Sequence, residues 1–193
     1  VSRTRVGVLG GTFDPFHNGH LEVACAVRDS GLVDVIVVVP ANDPWQKACV
    51  ATADQRLEMV RRGITSHESI QVSDIDIVRG GPTYTVDTLS DIAVLYPDAA
   101  VSFIVGSDAA AGLPTWHRAD ELRASAAFIV VTRPGTRPPQ LDVEGYDLNL
   151  LAIPPVDVSS SAIRERVSKG LALTDMVPSA VAEYITAQGL YRE

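Results

Sequence analysis

The chain has 193 residues, 46% hydrophobic and 21% charged, which suits one globular domain with a sizeable core. A net charge of −8 at pH 7 argues against a general nucleic-acid binder, which would show a basic surface, although a few cations and helix N-termini can still draw an anion into one cleft. No apolar run approaches a membrane span, and Val1-Ser2-Arg3-Thr4-Arg5 lacks the apolar centre of a signal peptide, so a cytoplasmic protein without a membrane partner is expected.

The first apolar run, Val6-Gly7-Val8-Leu9, reads as a buried strand, and Leu21 to Arg28 reads as a helix. Val35 to Val39 is apolar at successive positions, as a parallel strand buried on both faces would be. Thr52-Ala53-Asp54-Gln55 has the form of a capping box and predicts a helix to about Ile64. Ile70 to Val78 alternates apolar and polar residues, which predicts an edge or bent strand with Asp74 and Asp76 on a solvated face. Thr83 is placed to cap a helix running through Leu89 and Ile92 to Leu95, with a turn at Pro97 and Asp98.

Val101 to Val105 and Phe128 to Val131 read as further buried strands, and Leu148 to Ile153 as a weaker one. The proline- and charge-rich stretch from Arg133 to Gly145 reads as a mobile surface loop. Ser160 is placed to cap a helix ended by Gly170. Pro178 opens a last helix with Val181, Tyr184, Ile185 and Gln188 on one face and Gly189 past its end. Strands alternating with helices predict an α/β fold: a Rossmann-like, doubly wound, mainly parallel sheet with helices on both faces. The expectation is a single domain over 1–193 with a small helical part from about residue 159; strand order cannot be read this way. Cys25 reads as a small core residue and Cys49 as a free thiol, without metal-ligand spacing.

Chemistry concentrates in Gly10-Gly11-Thr12-Phe13-Asp14-Pro15-Phe16-His17-Asn18-Gly19-His20, between the first strand and the first helix. Glycines at a strand end allow a ligand to approach the backbone, and a helix N-terminus favours an anion. His17 precedes the helix and His20 falls in its first turn, so both rings can reach one phosphate chain. Neither the dinucleotide fingerprint nor the P-loop spacing is present. Taken singly, His20 shares helical spacing with Val23, Ala24 and Val27 and suits a core position, and Asp14 suits a turn before Pro15.

The whole string resembles the signature of the nucleotidylyltransferase superfamily, whose short form is His-x-Gly-His, and its longer form resembles bacterial nicotinate-nucleotide adenylyltransferases. Those enzymes make deamido-NAD from nicotinate mononucleotide and ATP. Val158-Ser159-Ser160-Ser161-Ala162-Ile163-Arg164 resembles the superfamily's second motif, with Val158 and Ser161 where isoleucine and threonine are more usual. Hydroxyls, free amides and an arginine at a helix start suit a second phosphate grip, although a serine cap with a solvated arginine has the same pattern. Gly80 to Leu89 resembles the family segment that recognises the nicotinate end. Gly106-Ser107-Asp108 and Trp116-His117 resemble two further pieces of it.

The resemblance implies a division of roles. His20 serves the α-phosphate; His17, Ser160, Ser161 and Arg164 hold the outer phosphates. Gly10, Gly11, Thr12 and Phe13 face ATP, with Lys47 and Arg133 joining from neighbouring loops. Asp14, the Thr85 and His117 amides, Asp108 and a stacking Trp116 bind the nicotinate mononucleotide. A phosphate nucleophile is already anionic, so the enzyme has to align substrates and screen charge. Mg²⁺ is expected on the ATP phosphates rather than on protein ligands. A preference for nicotinamide mononucleotide or a non-catalytic nucleotide-binding regulator stays open at this stage, as does assembly into a homo-oligomer.

Overall fold

Strand β1 (Arg5–Gly11) lies in the middle of a six-stranded sheet. Its apolar run has no polar alternation, so both faces must be covered, and Val6 and Val8 are fully buried. The computed structural model describes residues 3–45, 48–132, 143 and 145–192. After β1 come α1 (Asn18–Asp29), β2 (Val35–Pro40), β3 (Asp43–Pro44), α2 (Ala53–Ile64) and β4 (Ile70–Val72). The middle of the chain forms α3 (Ile75–Arg79), β5 (Pro82–Thr83), α4 (Thr85–Leu95), β6 (Ala100–Gly106) and α5 (Ser107–Ala110). A short 3-10 helix at Leu113–Thr115, α6 (Ala119–Ser125), β7 (Ala127–Thr132), β8 (Leu148–Ala152), α7 (Ser160–Ser168) and α8 (Ser179–Ala187) complete it.

The sheet order is β4-β2-β1-β6-β7-β8, with every neighbouring pair parallel. The chain winds outward from β1 on one side, then crosses back and winds outward from β6 on the other. In such sheets the crevice where the winding reverses opens at the carboxyl ends of the two central strands. Here that crevice lies beyond Gly11 of β1 and Gly106 of β6. A separate pair, β3 and β5, joins the loop after β2 to the segment before α4.

Alternating residues of β2 feed two core layers. Ile36 and Val38 join α1, α2, α7 and α8 on one face; Val37 and Val39 join α4 and α6 on the other. Ile163 of α7 and Ile185 of α8 belong to the same apolar cluster as Leu9 and Met59, so the C-terminal helices share the sheet's core. Among the described residues, no helix is long and apolar enough to cross a membrane.

Several local expectations need correction. Only Ile70–Val72 is strand; the chain then bends into α3, and Asp76 is 2% exposed rather than on a solvated face. Thr83 does not cap α4, because its hydroxyl accepts the Asn42 amide (2.9 Å) and Tyr84 takes the cap position. Ser159, not Ser160, caps α7, accepting from the Ala162 amide at 3.2 Å. Pro178 stands one residue before α8, and Gln188 is exposed. Cys25 is only partly buried. Of the Arg133–Gly145 segment only Val143 and Gly145 are described, and Val143 is buried in the core.

Gly63 of α2 packs flat against Phe16: a β-carbon there would lie 2.6 Å from the ring's Cε1. Alanine favours helix over glycine by ~1 kcal/mol, but overpacking a core typically costs ~1–3 kcal/mol. Gly63→Ala is therefore expected to lower the urea midpoint, and a raised midpoint would show that Phe16 is free to move.

Candidate active site

The string from Gly10 to His20 rounds the end of β1 and enters α1. Both glycines line the cleft, yet their missing side chains also answer an internal need. A β-carbon on Gly10 would lie 3.0 Å from the Phe103 ring, and one on Gly11 2.8 Å from the Phe13 ring. Phe13 takes a left-handed backbone (φ 52), and its side chain is buried rather than open to the cleft. Its ring instead packs edge-on against His20, with centroids 4.9 Å apart.

His17 occupies the N-cap position of α1, and His20 lies in the first turn. The Nδ1 of His20 accepts the His17 backbone N–H (3.3 Å), and the two rings stack with centroids 3.6 Å apart. Phe16 stacks on His20 as well, at 5.5 Å. An accepting Nδ1 places the proton of the neutral His20 ring on Nε2, so that atom is a hydrogen-bond donor. His17 is 7% exposed, and its buried Nδ1 has no hydrogen-bond partner among the described residues. Burial lowers its pKa to about 4, so His17 is neutral at neutral pH.

Asp14 is placed otherwise than expected. It is 3% exposed, and its carboxylate accepts from the Val50 amide (2.7 Å), the Ala51 amide (3.2 Å) and the Tyr191 hydroxyl (2.6 Å). A carboxylate spent on three internal donors ties the loop together instead of touching an acceptor nucleotide. Burial, reinforced by the hydrogen bond to Asp14, raises the Tyr191 pKa.

The start of α7 closes on the same loop. Ser160 donates to the Pro15 carbonyl at 3.1 Å, so its proton is already engaged. Arg164 donates to the Asp14 carbonyl (2.7 Å) and to the Ser161 hydroxyl (3.3 Å). Both partners are neutral, so its charge still acts on whatever enters. His17, His20, Ser160 and Ser161 line one recess together. A second recess, sharing His20, runs past Asp108 and Val131. This recess shares Leu9, Ile104, Val105 and Gly106 with the tryptophan cleft, so the two adjoin along β6, with Asp108 lining one and Trp116 the other.

The third part of the cleft holds Gly10, Gly11, Thr12, Thr85 and Trp116, as expected. Trp116 stands edge-on to Phe103, at 6.2 Å between centroids. His117 is exposed and does not line this cleft; its ring stacks on Tyr84 at 4.0 Å. Sequence reasoning missed Trp45, Asp76 and Thr88, which line the cleft too. The Thr88 hydroxyl donates to the Asp76 carboxylate (2.9 Å), which also pairs with Arg79 at 2.6 Å. Burial raises the Asp76 pKa, against the lowering pull of Arg79 and Thr88. Lys47 and Arg133, both expected near the phosphates, lie outside the described residues.

Known proteins share this arrangement of chain. Residues 8–166 match the cytidylyltransferase-like family. The chain is 43% identical over 192 residues to a Saccharopolyspora erythraea protein named probable nicotinate-nucleotide adenylyltransferase, covering 98% of this chain and 91% of that one. A Streptomyces coelicolor protein of the same name is 43% identical over 186 residues, with 95% and 99% covered. In fold the chain is similar to Plasmodium falciparum nicotinic acid mononucleotide adenylyltransferase complexed with NaAD, with TM-score 0.82, 22% identity and 98% of both chains covered.

The burial of His17 sets a pH dependence. Its folded value of about 4 lies below the ordinary 6.5, so the unfolded chain takes the proton first as pH falls. The stability that neutral His17 contributes is present above about pH 6.5 and is lost as pH drops from there toward 4. In urea unfolding, the difference in stability between the protein and His17→Gln should change across that window. A difference independent of pH would show that His17 titrates like an exposed histidine.

Proposed function

The chain belongs to the cytidylyltransferase-like family, among the nicotinate-nucleotide adenylyltransferases, and we propose that it transfers the adenylyl group of ATP to nicotinate mononucleotide. The products are nicotinate adenine dinucleotide (deamido-NAD) and pyrophosphate, a step of NAD biosynthesis. The observation that carries this reading is the position of His20. It borders both the recess of His17 and the α7 serines and the recess past Asp108, and its loop continues from the glycines of the tryptophan cleft.

In the proposed reaction an oxygen of the acceptor's 5′-phosphate attacks the α-phosphorus of ATP. The bond to the bridging oxygen breaks, and the electron pair leaves with pyrophosphate. The attacking group is a phosphate that is largely ionised at pH 7, so no general base is required. His20 Nε2–H donates to a non-bridging α-oxygen, where charge must be held in the transition state. His17, a neutral ring, holds the outer phosphates from the recess it lines with Ser160 and Ser161, and Arg164, bonded to Ser161, joins them. Arg164 offsets the charge gathering on pyrophosphate. Trp116 stacks on the pyridine ring, and the start of α4 at Thr85 offers amides to its carboxylate.

The protein side of the cleft offers amides, hydroxyls and imidazoles. Among the described residues no group of three His, Cys, Asp or Glu side chains could hold a metal ion. Mg²⁺ entering with ATP would be held mainly by phosphate oxygens and would supply charge neutralisation there. An ATP-consuming reaction also accords with the cytoplasmic location expected from sequence.

Pyrophosphate release with ATP, assayed against nicotinate mononucleotide and nicotinamide mononucleotide in parallel, tests the reading. Faster turnover of the acid supports it, and faster turnover of the amide or of neither overturns it. Removing one preorganised donor at a developing charge costs ~10²–10³ in rate. His20→Ala is therefore expected to lower kcat by about that factor with an unchanged circular dichroism spectrum; near-normal turnover would refute its role. Base–aromatic stacking is worth ~1–3 kcal/mol, so Trp116→Ala should raise the acceptor's KM by roughly tenfold and leave that for ATP alone. Movement of the ATP constant alone would contradict the stacking.

A further inference from the structure

Arg56 heads the largest fully buried side chains among the described residues, 1% exposed, and the proposed chemistry does not use it. It lies on the inner stripe of α2 with Val60 and Gly63, where an apolar residue would be the ordinary choice. Burying a cation is costly, and a well-packed apolar residue in place of a buried charge is often as stable or more so. The side chain must therefore be read through what its two ends hold. Nη1 donates to the Thr12 carbonyl at 2.8 Å, and Nη2 donates to the Asn42 carbonyl at 2.8 Å.

These two carbonyls belong to different halves of the site. Thr12 sits in the loop between β1 and α1 that carries both histidines. Asn42 follows β2, and its remaining groups reach the other way. Its backbone N–H donates to the Thr83 hydroxyl (2.9 Å), and its side-chain amide donates to the Gly81 carbonyl (2.9 Å). Thr83 pairs with Pro44 across the small β3–β5 sheet and leads straight into Thr85, the first residue of α4 and part of the tryptophan cleft. Hydrogen bonds thus run without a gap from Thr12 through Arg56 and Asn42 to Gly81 and Thr83.

We propose that Arg56 is a positioning residue that sets the ATP loop and the acceptor loop at a fixed separation, with Asn42 as its link to the acceptor side. The planar fork of a guanidinium holds two carbonyls at one spacing, which the single ammonium of lysine cannot do. A displacement joins two bound molecules, so its rate depends on their mutual placement, and a 1 Å error costs ~10² in rate even where each molecule binds well. Arg56 acts through this placement and touches neither substrate. The inference rests on the adenylyl-transfer reading for the identity of the two substrates.

The test pairs Arg56→Lys with Asn42→Ala, with kcat and both KM values from pyrophosphate release. Calorimetry adds Kd for nicotinate mononucleotide and for a non-hydrolysable ATP analogue, each alone. Arg56→Lys keeps the charge and most of the stem but replaces the two nitrogens of the fork by one, and so loses their fixed spacing. It should lower kcat tenfold or more while each single-substrate Kd stays within about threefold. Asn42→Ala leaves the backbone carbonyl on Arg56 and frees only the acceptor loop. It should raise the acceptor's KM several-fold and leave that of ATP unchanged. A merely structural Arg56 would lower the melting temperature without this split.

Arg56→Lys with kcat within twofold of the unaltered protein, or with losses in Kd that account for the whole loss in rate, overturns the proposal. Should Arg56→Lys fail to fold, an Asn42→Ala protein with an unchanged acceptor KM, or with both KM values raised equally, overturns it as well. Should the unaltered protein turn over a different mononucleotide, the adenylyl-acceptor reading fails separately, and the same split is then read with that acceptor.

Discussion

The buried carboxylate of Asp14 is the constraint on which the site depends. A carboxylate removed from water must be fully hydrogen-bonded or it is strongly destabilising. Its donors come from the Val50–Ala51 stretch before α2 and from Tyr191, which is 177 residues away in the chain. Its own main-chain carbonyl takes Arg164 of α7, and the next carbonyl, of Pro15, takes Ser160. Three distant segments therefore converge on two residues of one loop. The loop reaches its shape only when α7 and the residues after α8 are docked, which explains why the C-terminal helices share the main core instead of forming a separate lobe.

That convergence fixes where the histidines stand. Phe13 and Phe16 flank Asp14 and Pro15, both are buried, and both pack on His20. Phe16 in turn rests on Gly63 of α2. The His20 ring is thus held by aromatic contacts on its faces and edge and by the His17 amide at Nδ1. Rotation is blocked from several sides at once, which fixes the direction in which its Nε2 points.

Much of this was legible in the sequence wherever the signal was local. The capping box at Thr52 and Gln55 appears as read, because both partners lie within one turn. The buried strands were legible from their unbroken apolar runs, and the two histidines from their place at a strand-to-helix junction. What escaped was decided at a distance. Asp76 looked like part of a solvated strand because alternation over Ile70 to Val78 suits either reading until the chain bends after Val72. Its burial depends on Thr88 and Arg79, which no periodicity links to it. Asp14 and Ser160 carry a task that their motifs do not show, for the same reason: each joins one motif to another, while Ser160 also lines the recess of the two histidines. One signal was available and unused, since Arg56 on the apolar stripe of α2 breaks the pattern of its helix.

The electrostatics of the cleft follow from this internal bookkeeping. The protein carries a net charge of −8, yet its reaction centre must accept a polyanion. Asp14 is sequestered behind the loop and Asp76 is paired with Arg79, so the two buried carboxylates nearest the cleft project little charge into it. Lining the recess are a neutral His17, His20 and the hydroxyls of Ser160 and Ser161, with Arg164 bonded to Ser161 behind them. Neutral donors bind a phosphate more weakly than fixed cations would, and in this chemistry that is an advantage. Transition-state charge develops at the α-phosphorus and on the departing pyrophosphate, and binding that is equally strong before and after the transfer accelerates nothing. In the proposed assignment, a directed donor at the α-phosphate and one arginine toward the leaving group would concentrate the interaction where charge changes.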